Sequence, residues 1–226
     1  MTGYFSKGEI MLWGSSVTAI IVSFLIFRGE SYMTLAASLI GVTSLIFAAK
    51  GNPIGQFLMV IFGLMYGVIS YNYAYYGEVI TYCGMTMPMS LFAFISWLRN
   101  PYEGNRAEVK VNSVGTAEVL FMILGAMIVT VLFYFVLDMF GTANIIISTI
   151  SVATSFIAVY LTFRISEYFA AAYALNDIVL IIMWIMASIE DKKYISVAVC
   201  FTAFLVNDLY GFLNWRKMKK RQLSKL

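Results

Sequence analysis

The segment DLYGFLNWRKMKKR (208–221) ends a long apolar run with a Trp followed by basic residues. The earlier segment SLFAFISWLRNPYEGNR (90–106) ends another apolar run with the same pattern. Aligning Trp97 with Trp215 superposes further pairs: Phe94 on Phe212, Ser96 on Asn214, Phe92 on Tyr210 and Tyr66 on Trp184. These matches predict that the chain contains two copies of one unit. The alternative is that both segments carry only the aromatic and basic residues common at membrane interfaces.

The composition indicates a membrane protein. Of 226 residues, 61% are hydrophobic and 12% are charged, whereas soluble domains contain about 45–50% apolar and 25% charged residues. A membrane-spanning helix needs about 20 mostly apolar residues. We therefore predict an all-α polytopic membrane protein with eight transmembrane helices, near 10–27, 33–49, 55–73, 77–98, 116–138, 143–163, 169–189 and 194–214.

The repeat predicts how these helices are organised. Two three-helix units can keep one orientation only if an additional helix crosses the membrane between them. This 3+1+3 parallel arrangement is typical of transporters that hold substrate near the midplane, between the repeats. The predicted division is an extra N-terminal helix (1–30), a first repeat (31–100), a loop and connecting helix (101–142), a second repeat (143–216) and a basic tail (217–226).

The basic residues predict the orientation. Placing both termini in the cytoplasm leaves only Arg28, Lys192 and Lys193 of the 15 basic residues outside, as the positive-inside rule requires. We expect the tail to anchor this topology; binding of anionic lipid or of nucleic acid is the alternative.

Two Asn-Asp pairs lie inside apolar runs. Asn176 and Asp177 follow Phe169 by about eight residues, and Asn207 and Asp208 precede Trp215 by about eight residues, so both pairs lie roughly 11–12 Å from one boundary at 1.5 Å per residue. A carboxylate at such depth costs about 2.5–3.5 kcal/mol unless it faces a cavity or a partner. The four residues predict an internal polar site.

A structural clamp is compatible with that site. In it, Asn176 would bind Asp208 and Asn207 would bind Asp177 across two antiparallel helices.

Helical periodicity places three residues on one face of the seventh span. Tyr173, Asp177 and Trp184 fall within about 40° of one another on a helical wheel. Rings around a carboxylate suit a flat, cationic aromatic ligand. The alternative is ordinary aromatic packing.

The first repeat contributes further candidates. Pro88 lies in the middle of the fourth span, where a kink is tolerated beside a cavity, and is predicted to be a hinge. Gln56 and Tyr66 of the third span are candidate substrate-binding residues. Three glycines of that region are expected to allow close helix packing: Gly55, Gly63 and Gly67.

Several classes of function are disfavoured by residues that the sequence lacks. It has no histidine, so no histidine metal site or base is possible. Neither a phosphate-binding GxxxxGK[ST] loop nor a paired-cysteine pattern occurs, because Cys83 and Cys200 lie in separate spans. We expect no cofactor, no metal and no enzymatic activity. No Lys or Arg lies in the interior of a predicted span, and the acidic residues within or near the spans include Glu78, Asp138, Asp177 and Asp208. The cargo is therefore predicted to be neutral or cationic, since phosphorylated substrates normally need Arg or Lys.

The run YYGEVITYCGMTMPMSLFAFISWLRNPYEG (75–104), followed by NDLYGFLNWRK (207–217), resembles the PnuC nicotinamide riboside transporters over about residues 30–220. The resemblance implies a fold related to SWEET transporters and a homotrimer in the bacterial cytoplasmic membrane. It also implies uptake of nicotinamide riboside by facilitated diffusion, with phosphorylation in the cytoplasm trapping the cargo.

The family's Trp-x-x-x-Asn substrate motif aligns with Tyr173 and Asp177, and neither residue matches. An aromatic ring is kept, and the Asp adds a charge that suits a positive pyridinium ring. Because of this difference, thiamine or another cationic vitamin or nucleoside is an alternative cargo.

Three rival mechanisms follow from the same residues. Asp177 or Asp208 could couple uptake to protons or sodium ions. An intramembrane aspartyl protease would also place two carboxyl groups on adjacent helices, although such sites carry Gly-rich contexts and here each Asp follows an Asn. The chain could also bind a vitamin for a separate motor protein.

Overall fold

The chain forms a bundle of helices that run between two ends of the molecule. The computed structural model describes residues 3–27, 31–72, 79–142 and 144–225. Within them are eight α-helices, so the predicted all-α class and helix number are confirmed. In chain order they are α1 Lys7–Phe27, α2 Tyr32–Ala49, α3 Ile54–Asn72, α4 Met87–Arg99, α5 Thr116–Met139, α6 Ile145–Phe163, α7 Phe169–Glu190 and α8 Ile195–Leu223. Arg28 and Glu78 lie outside the described residues.

The lengths of the helices agree with a membrane protein. Six helical segments among the described residues are long and apolar enough to cross a bilayer. The apolar stretch Ile54–Ile69 of α3 and the 13-residue α4 are shorter than these. A π-helical segment, Ile80–Thr86, leads directly into α4 and extends it. We refer to α2–α4 with this segment as the first half of the molecule, and to α6–α8 as the second half.

Charged contacts bring most of the basic residues to one end of the molecule, which we call the basic end. Here the Lys50 ammonium, after α2, lies 3.0 Å from a carboxylate oxygen of Glu9 at the start of α1. Arg164, after α6, pairs with Glu118 at the start of α5. The long α8 continues past Trp215 into a basic turn at the same end.

The helices α2 and α6 end with the same backbone geometry. Gly51 and Ile165, one residue beyond each helix cap, adopt left-handed conformations with φ of 69° and 56°. A β-branched residue is rarely found there, and surrounding contacts hold Ile165 in place. Its carbonyl accepts a hydrogen bond from the Asn112 N–H, just as the Gly51 carbonyl accepts one from Val109, both at 3.0 Å. The loop between α4 and α5 therefore ties the two helix ends together.

That loop contains a short β-hairpin at the basic end. Strand β1, Pro101–Tyr102, pairs with β2, Asn105–Val109. The Gln222 side chain at the end of α8 donates to the Val109 carbonyl and accepts from the Val111 N–H. These bonds fix the hairpin against α8.

Close helix packing in the first half depends on glycine. A Cβ atom on Gly55 would lie 2.6 Å from the Ala48 nitrogen and 2.8 Å from the Ser44 carbonyl oxygen. A Cβ atom on Gly67 would overlap the Cys83 sulfur. The expected packing role of Gly55 and Gly67 agrees with these distances.

Pro88 lies in the first turn of α4, immediately after the π-helical segment Ile80–Thr86. A proline in a first turn needs no hydrogen bond from its own nitrogen. Single π-turns are often found at functional sites. The irregular backbone that a hinge requires is thus spread over the segment before Pro88, and the hinge itself stays a prediction.

Candidate functional site

An internal cavity of about 60 Å³ lies between the two halves. Side chains from six of the helices and from the π-helical segment surround it. The first half and the α5 region contribute Leu45, Met59, Phe62, Thr81, Tyr82, Thr86, Leu137 and Thr142, and the second half contributes Ser148, Ser151, Val152, Ser155, Val159, Tyr173, Asn176, Asp177, Leu180, Phe201, Phe204 and Asp208.

The carboxyl groups of Asp177 and Asp208 meet at this cavity. They lie within hydrogen-bonding distance of each other, on the antiparallel neighbours α7 and α8. Asp177 is 3% exposed and Asp208 4%, so water does not screen them from outside. Two carboxylates this close repel each other, so a proton shared between them stabilises the arrangement. One oxygen of Asp177 has no hydrogen-bond partner among the described residues.

The predicted Asn-Asp clamp is wrong. The Asn176 side-chain oxygen accepts hydrogen bonds from Thr154, at 2.7 Å, and from Ser155, at 3.0 Å, both on α6. The Asn207 amide donates to the Ser16 hydroxyl of α1 at 2.8 Å. Adjacent residues of a helix point about 100° apart, so an Asn cannot face the same neighbour as the Asp that follows it.

Only two of the three residues predicted to share one face of α7 reach the cavity. Tyr173, Asp177 and Leu180 line the cavity, and the Tyr173 hydroxyl contacts Thr162. Trp184 does not line it: its ring packs against Tyr194, with ring centres 5.5 Å apart. Trp184 follows Asp177 by seven residues, which places the indole roughly 10 Å further along the axis. The expected arrangement of Tyr173 and Trp184 around one ligand is therefore not formed here.

The two candidates from α3 also lie outside the cavity lining. Gln56 is buried in the first turn of α3, at the basic end. Tyr66 lies behind the wall: its ring centre is 4.5 Å from that of Tyr82 and 5.5 Å from that of Phe62, and both of those residues line the cavity. Tyr66 therefore supports the wall of the site.

Three serines of α6 also line the cavity, and they were not among the predicted site residues. Ser148, Ser151 and Ser155 all line the cavity. They recur at intervals of three and four residues, which is the spacing of one helical face. A polar face of this kind inside an apolar span was the signal that could have identified them.

The chemistry of the cavity favours particular ligands. It presents the carboxyl pair, hydroxyl groups and the aromatic rings of Tyr82, Tyr173 and Phe204, and none of the Lys or Arg side chains that the structure describes lines it. No group of three or more His, Cys, Asp or Glu side chains is placed to hold a metal in the described ranges 3–27, 31–72, 79–142 and 144–225. Such a lining suits a cationic or neutral hydroxylated molecule with a flat ring.

Comparison with known proteins identifies the family. The family model described as nicotinamide mononucleotide transporter matches residues 31–217. This chain belongs to that family. Its members are transporters and not enzymes.

Named relatives cover most of the chain. The nicotinamide riboside transporter PnuC of Neisseria mucosa is 24% identical over 201 residues, covering 87% of this chain and 76% of the relative. The protein of the same name from Haemophilus influenzae is 21% identical, covering 85% of this chain and 82% of the relative.

A solved structure, the crystal structure of the vitamin B3 transporter PnuC, shares the fold. Its TM-score is 0.83 at 21% sequence identity, covering 97% of this chain and 95% of that chain. The eight-helix architecture is therefore that of a known transporter of this family. The helix α1, which precedes the region matched by the family model, is included in the likeness because nearly the whole chain is covered.

Proposed function

We propose that this chain carries nicotinamide riboside across the cytoplasmic membrane of a bacterium. The observation that supports this most directly is the contact between Asp177 and Asp208, at a cavity lined by no Lys or Arg of the described part of the chain. A pyridinium ring has a fixed positive charge, which the carboxyl pair attracts. A phosphate group would meet the same pair with repulsion, so the unphosphorylated riboside fits this lining better than its mononucleotide. The names of the two relatives support the same cargo.

Each side chain of the cavity has a role in this proposal. Asp177 and Asp208 bind the charged ring or the ribose hydroxyls. Tyr173 stacks on the ring. Asn176, held by Thr154 and Ser155, keeps α6 and α7 in register beside the site.

The cavity must widen to admit the cargo. Its 60 Å³ is well below the roughly 300–1,000 Å³ of typical ligand sites. We propose that α2–α4 and α6–α8 are the predicted repeats, with α5 as the connector, and that they rock about the site. The irregular segment before Pro88 absorbs part of this motion.

The direction of uptake follows from the orientation and from metabolism in the cell. We propose that the basic end faces the cytoplasm, as the positive-inside rule predicts. The riboside then moves inward down its gradient, and phosphorylation in the cytoplasm removes it from the equilibrium. Assembly as a homotrimer is proposed from the family resemblance.

Counterflow in liposomes that contain only the purified chain tests the function. Labelled riboside should enter liposomes loaded with unlabelled riboside, and external nicotinamide mononucleotide should not compete. Failure of any exchange would contradict transport by this chain alone, and exchange of thiamine in place of the riboside would assign a different cargo to the same fold.

Two variants distinguish an effect on the binding site from a general effect on folding. Asp177→Ala should strongly reduce exchange, because it removes one of the two carboxyl groups. Asp191→Ala is the matched control: Asp191 pairs with Lys193 in an exposed turn outside the cavity, and exchange should remain unchanged.

Ion-coupled uptake is a second candidate, favoured by the same carboxyl contact. A pair that shares one proton can release it when a cation binds. Uptake that continues after all ion gradients have been collapsed by ionophores would exclude this mechanism. Uptake that stops would show that transport is coupled to ions and is not facilitated diffusion.

A further inference from the structure

A second cavity opens at the basic end, outside the site described above. Its volume is about 370 Å³, within the range of pockets that hold small molecules. Four separate segments line it: the N-terminal residues, the end of α2, the β-hairpin and the last turns of α8. The lining residues are Tyr4, Lys50, Asn105, Ala107, Glu108, Asn214, Lys217, Met218 and Arg221.

The charges of this cavity are opposite to those of the central one. Three cations, Lys50, Lys217 and Arg221, line it against one carboxylate, Glu108. Arg221 pairs with Glu108, and Lys50 pairs with Glu9 behind the wall. Lys217 is exposed and takes part in none of the ion pairs found among the described residues. A net positive charge with a free ammonium group attracts an anion.

Groups for a planar, polar ligand lie beside these cations. Tyr4 is 44% exposed, and its hydroxyl accepts a hydrogen bond from the Asn52 amide at 2.9 Å, which positions the ring. Burial raises the pKa of the Tyr4 phenol, so it adds no negative charge at neutral pH. The amides of Asn105 and Asn214 offer both donors and acceptors.

We propose that this cavity binds a phosphomonoester, with the phosphate between Lys217, Arg221 and Lys50 and a flat base or other polar group against Tyr4. The phosphate can come from a soluble mononucleotide or from the headgroup of an anionic lipid such as phosphatidic acid.

The position of the cavity gives the ligand a regulatory effect. Lys50 follows α2 in the first half, and Lys217 lies on α8 in the second half. The neighbouring hydrogen bond from the Trp215 indole to the Ala48 carbonyl already joins these helices at 2.8 Å. A phosphate held by both halves resists their separation at this end and slows transport. This regulatory step rests on the proposed function, whereas the binding step does not.

Binding is tested with adenosine monophosphate as the probe and adenosine as its unphosphorylated control. The full chain in phosphatidylcholine nanodiscs should bind the monophosphate about tenfold more tightly than adenosine, and inorganic phosphate should compete. Equal binding of the two compounds would overturn the proposal.

Two substitutions should change the affinity for the monophosphate in opposite directions. Lys217→Ala should weaken monophosphate binding by about fivefold, as expected for loss of a partly exposed charge contact. Glu108→Gln should tighten it, because it removes the opposing carboxylate and frees Arg221. Lys225→Ala, in the same tail but paired with Glu103 outside the cavity, is the matched control and should change nothing. Binding unaffected by Lys217→Ala would contradict the assignment.

Two further measurements are needed. One distinguishes a lipid from a nucleotide as the source of the phosphate, and the other distinguishes this binding site from the proposed transport function. Nanodiscs with phosphatidic acid that abolish monophosphate binding would identify the lipid as the source, and nanodiscs that leave it intact would identify the nucleotide. In counterflow, the source so identified should slow riboside exchange by the unaltered chain and not by Lys217→Ala. A chain that binds the monophosphate but exchanges no riboside would refute the proposed function and leave the binding site standing.

Discussion

The indole rings of Trp97 and Trp215 lie 5.3 Å apart, centre to centre, and each donates a hydrogen bond to the opposite half of the molecule. Trp97, near the end of α4, donates to the Thr162 carbonyl of α6 at 2.9 Å, and Trp215 of α8 donates to the Ala48 carbonyl of α2 at 2.8 Å. Each half thus uses its last helix to bind the end of the other half's first helix.

A second pair of contacts repeats this exchange. Ser96 donates to the Phe163 carbonyl at 3.1 Å, and Asn214 donates to the Ala49 carbonyl at 2.8 Å. Ser96 and Asn214 are the residues that the sequence alignment of Trp97 with Trp215 superposes. The contacts support a twofold repeat around the two tryptophans.

The tryptophan bonds should contribute measurably to stability. Trp97→Phe and Trp215→Phe each keep an aromatic ring and remove one hydrogen bond to a helix-end carbonyl, which costs about 0.5–1.5 kcal/mol. The Ile165 and Gly51 N–H groups still bond those carbonyls. Both variants should melt at lower temperature by circular dichroism in detergent. Trp13→Phe is the control: Trp13 is exposed and donates to the Thr43 hydroxyl, so its loss should matter less. Equal melting of all the variants would contradict the role of the exchange.

The carboxyl pair predicts competition between cargo and protons. Acidification adds a second proton to Asp177 and Asp208, and the neutral pair no longer attracts a cation. The half-saturation concentration of the riboside in counterflow should therefore rise as the medium is made mildly acidic.

The matched variant is Asp177→Asn, which keeps the size of the side chain and removes one of the two carboxyl groups. The pH range over which its half-saturation concentration changes should differ from that of the unaltered chain, because Asp208 then titrates without a carboxyl partner. A pH dependence that is the same in both proteins would show that protons act elsewhere.

The sequence predicted positions along the helix axes better than directions around them. Depth is set by counting residues at a fixed rise, and most predicted helix bounds lie within three residues of the observed ones. The exceptions are the start of α4, which the π-helical segment precedes, and the end of α8, which extends nine residues further. Equal depth correctly indicated that the two Asn-Asp pairs lie on neighbouring helices at one level. The side on which each residue faces a neighbour depends on how helices rotate to pack. For that reason the partners of Asn176 and Asn207 were wrong, and Trp184 was placed too near the ligand.

The sequence pattern also did not predict the irregular backbone before α4. Pro88 indicated a break in the fourth span, but the break is a π-helical segment, Ile80–Thr86, that ends before it. Residues that form a π-turn have no composition of their own, because the turn is stabilised by packing around it. Thr81 and Thr86, which line the cavity, were therefore not recognised.

The space around Phe204 should control the size of the central cavity. Gly41 of α2 lies against the Phe204 ring, so closely that a Cβ atom there would overlap it. Because Phe204 lines the cavity, Gly41→Ala should push the ring inward, destabilise the protein by about 1–3 kcal/mol and slow counterflow. A smaller side chain in the double variant Gly41→Ala/Phe204→Leu should restore part of the rate.

The control for this variant is Gly14→Ala on α1, where no atom lies within 4 Å of the added carbon. It should leave both melting temperature and counterflow unchanged. If Gly41→Ala behaves like Gly14→Ala, the ring of Phe204 does not limit the cavity.

The N-terminal helix should stabilise the site helix through Ser16. This hydroxyl of α1 accepts a hydrogen bond from Asn207 of α8 at 2.8 Å, directly beside Asp208, and Asn207 is only 1% exposed. Polar contacts between membrane helices contribute about 0.6–1.7 kcal/mol. Ser16→Ala should therefore lower the melting temperature and raise the half-saturation concentration of the riboside, because α8 loses a contact that orients Asp208.

Ser15→Ala is the matched control, since Ser15 is exposed and bonds only the Leu12 carbonyl of its own helix. Identical melting and identical half-saturation of the two variants would mean that α1 does not support the site, and the role of this helix would then lie in its other contact with α8, the 2.9 Å bond from the Tyr210 hydroxyl to Glu9.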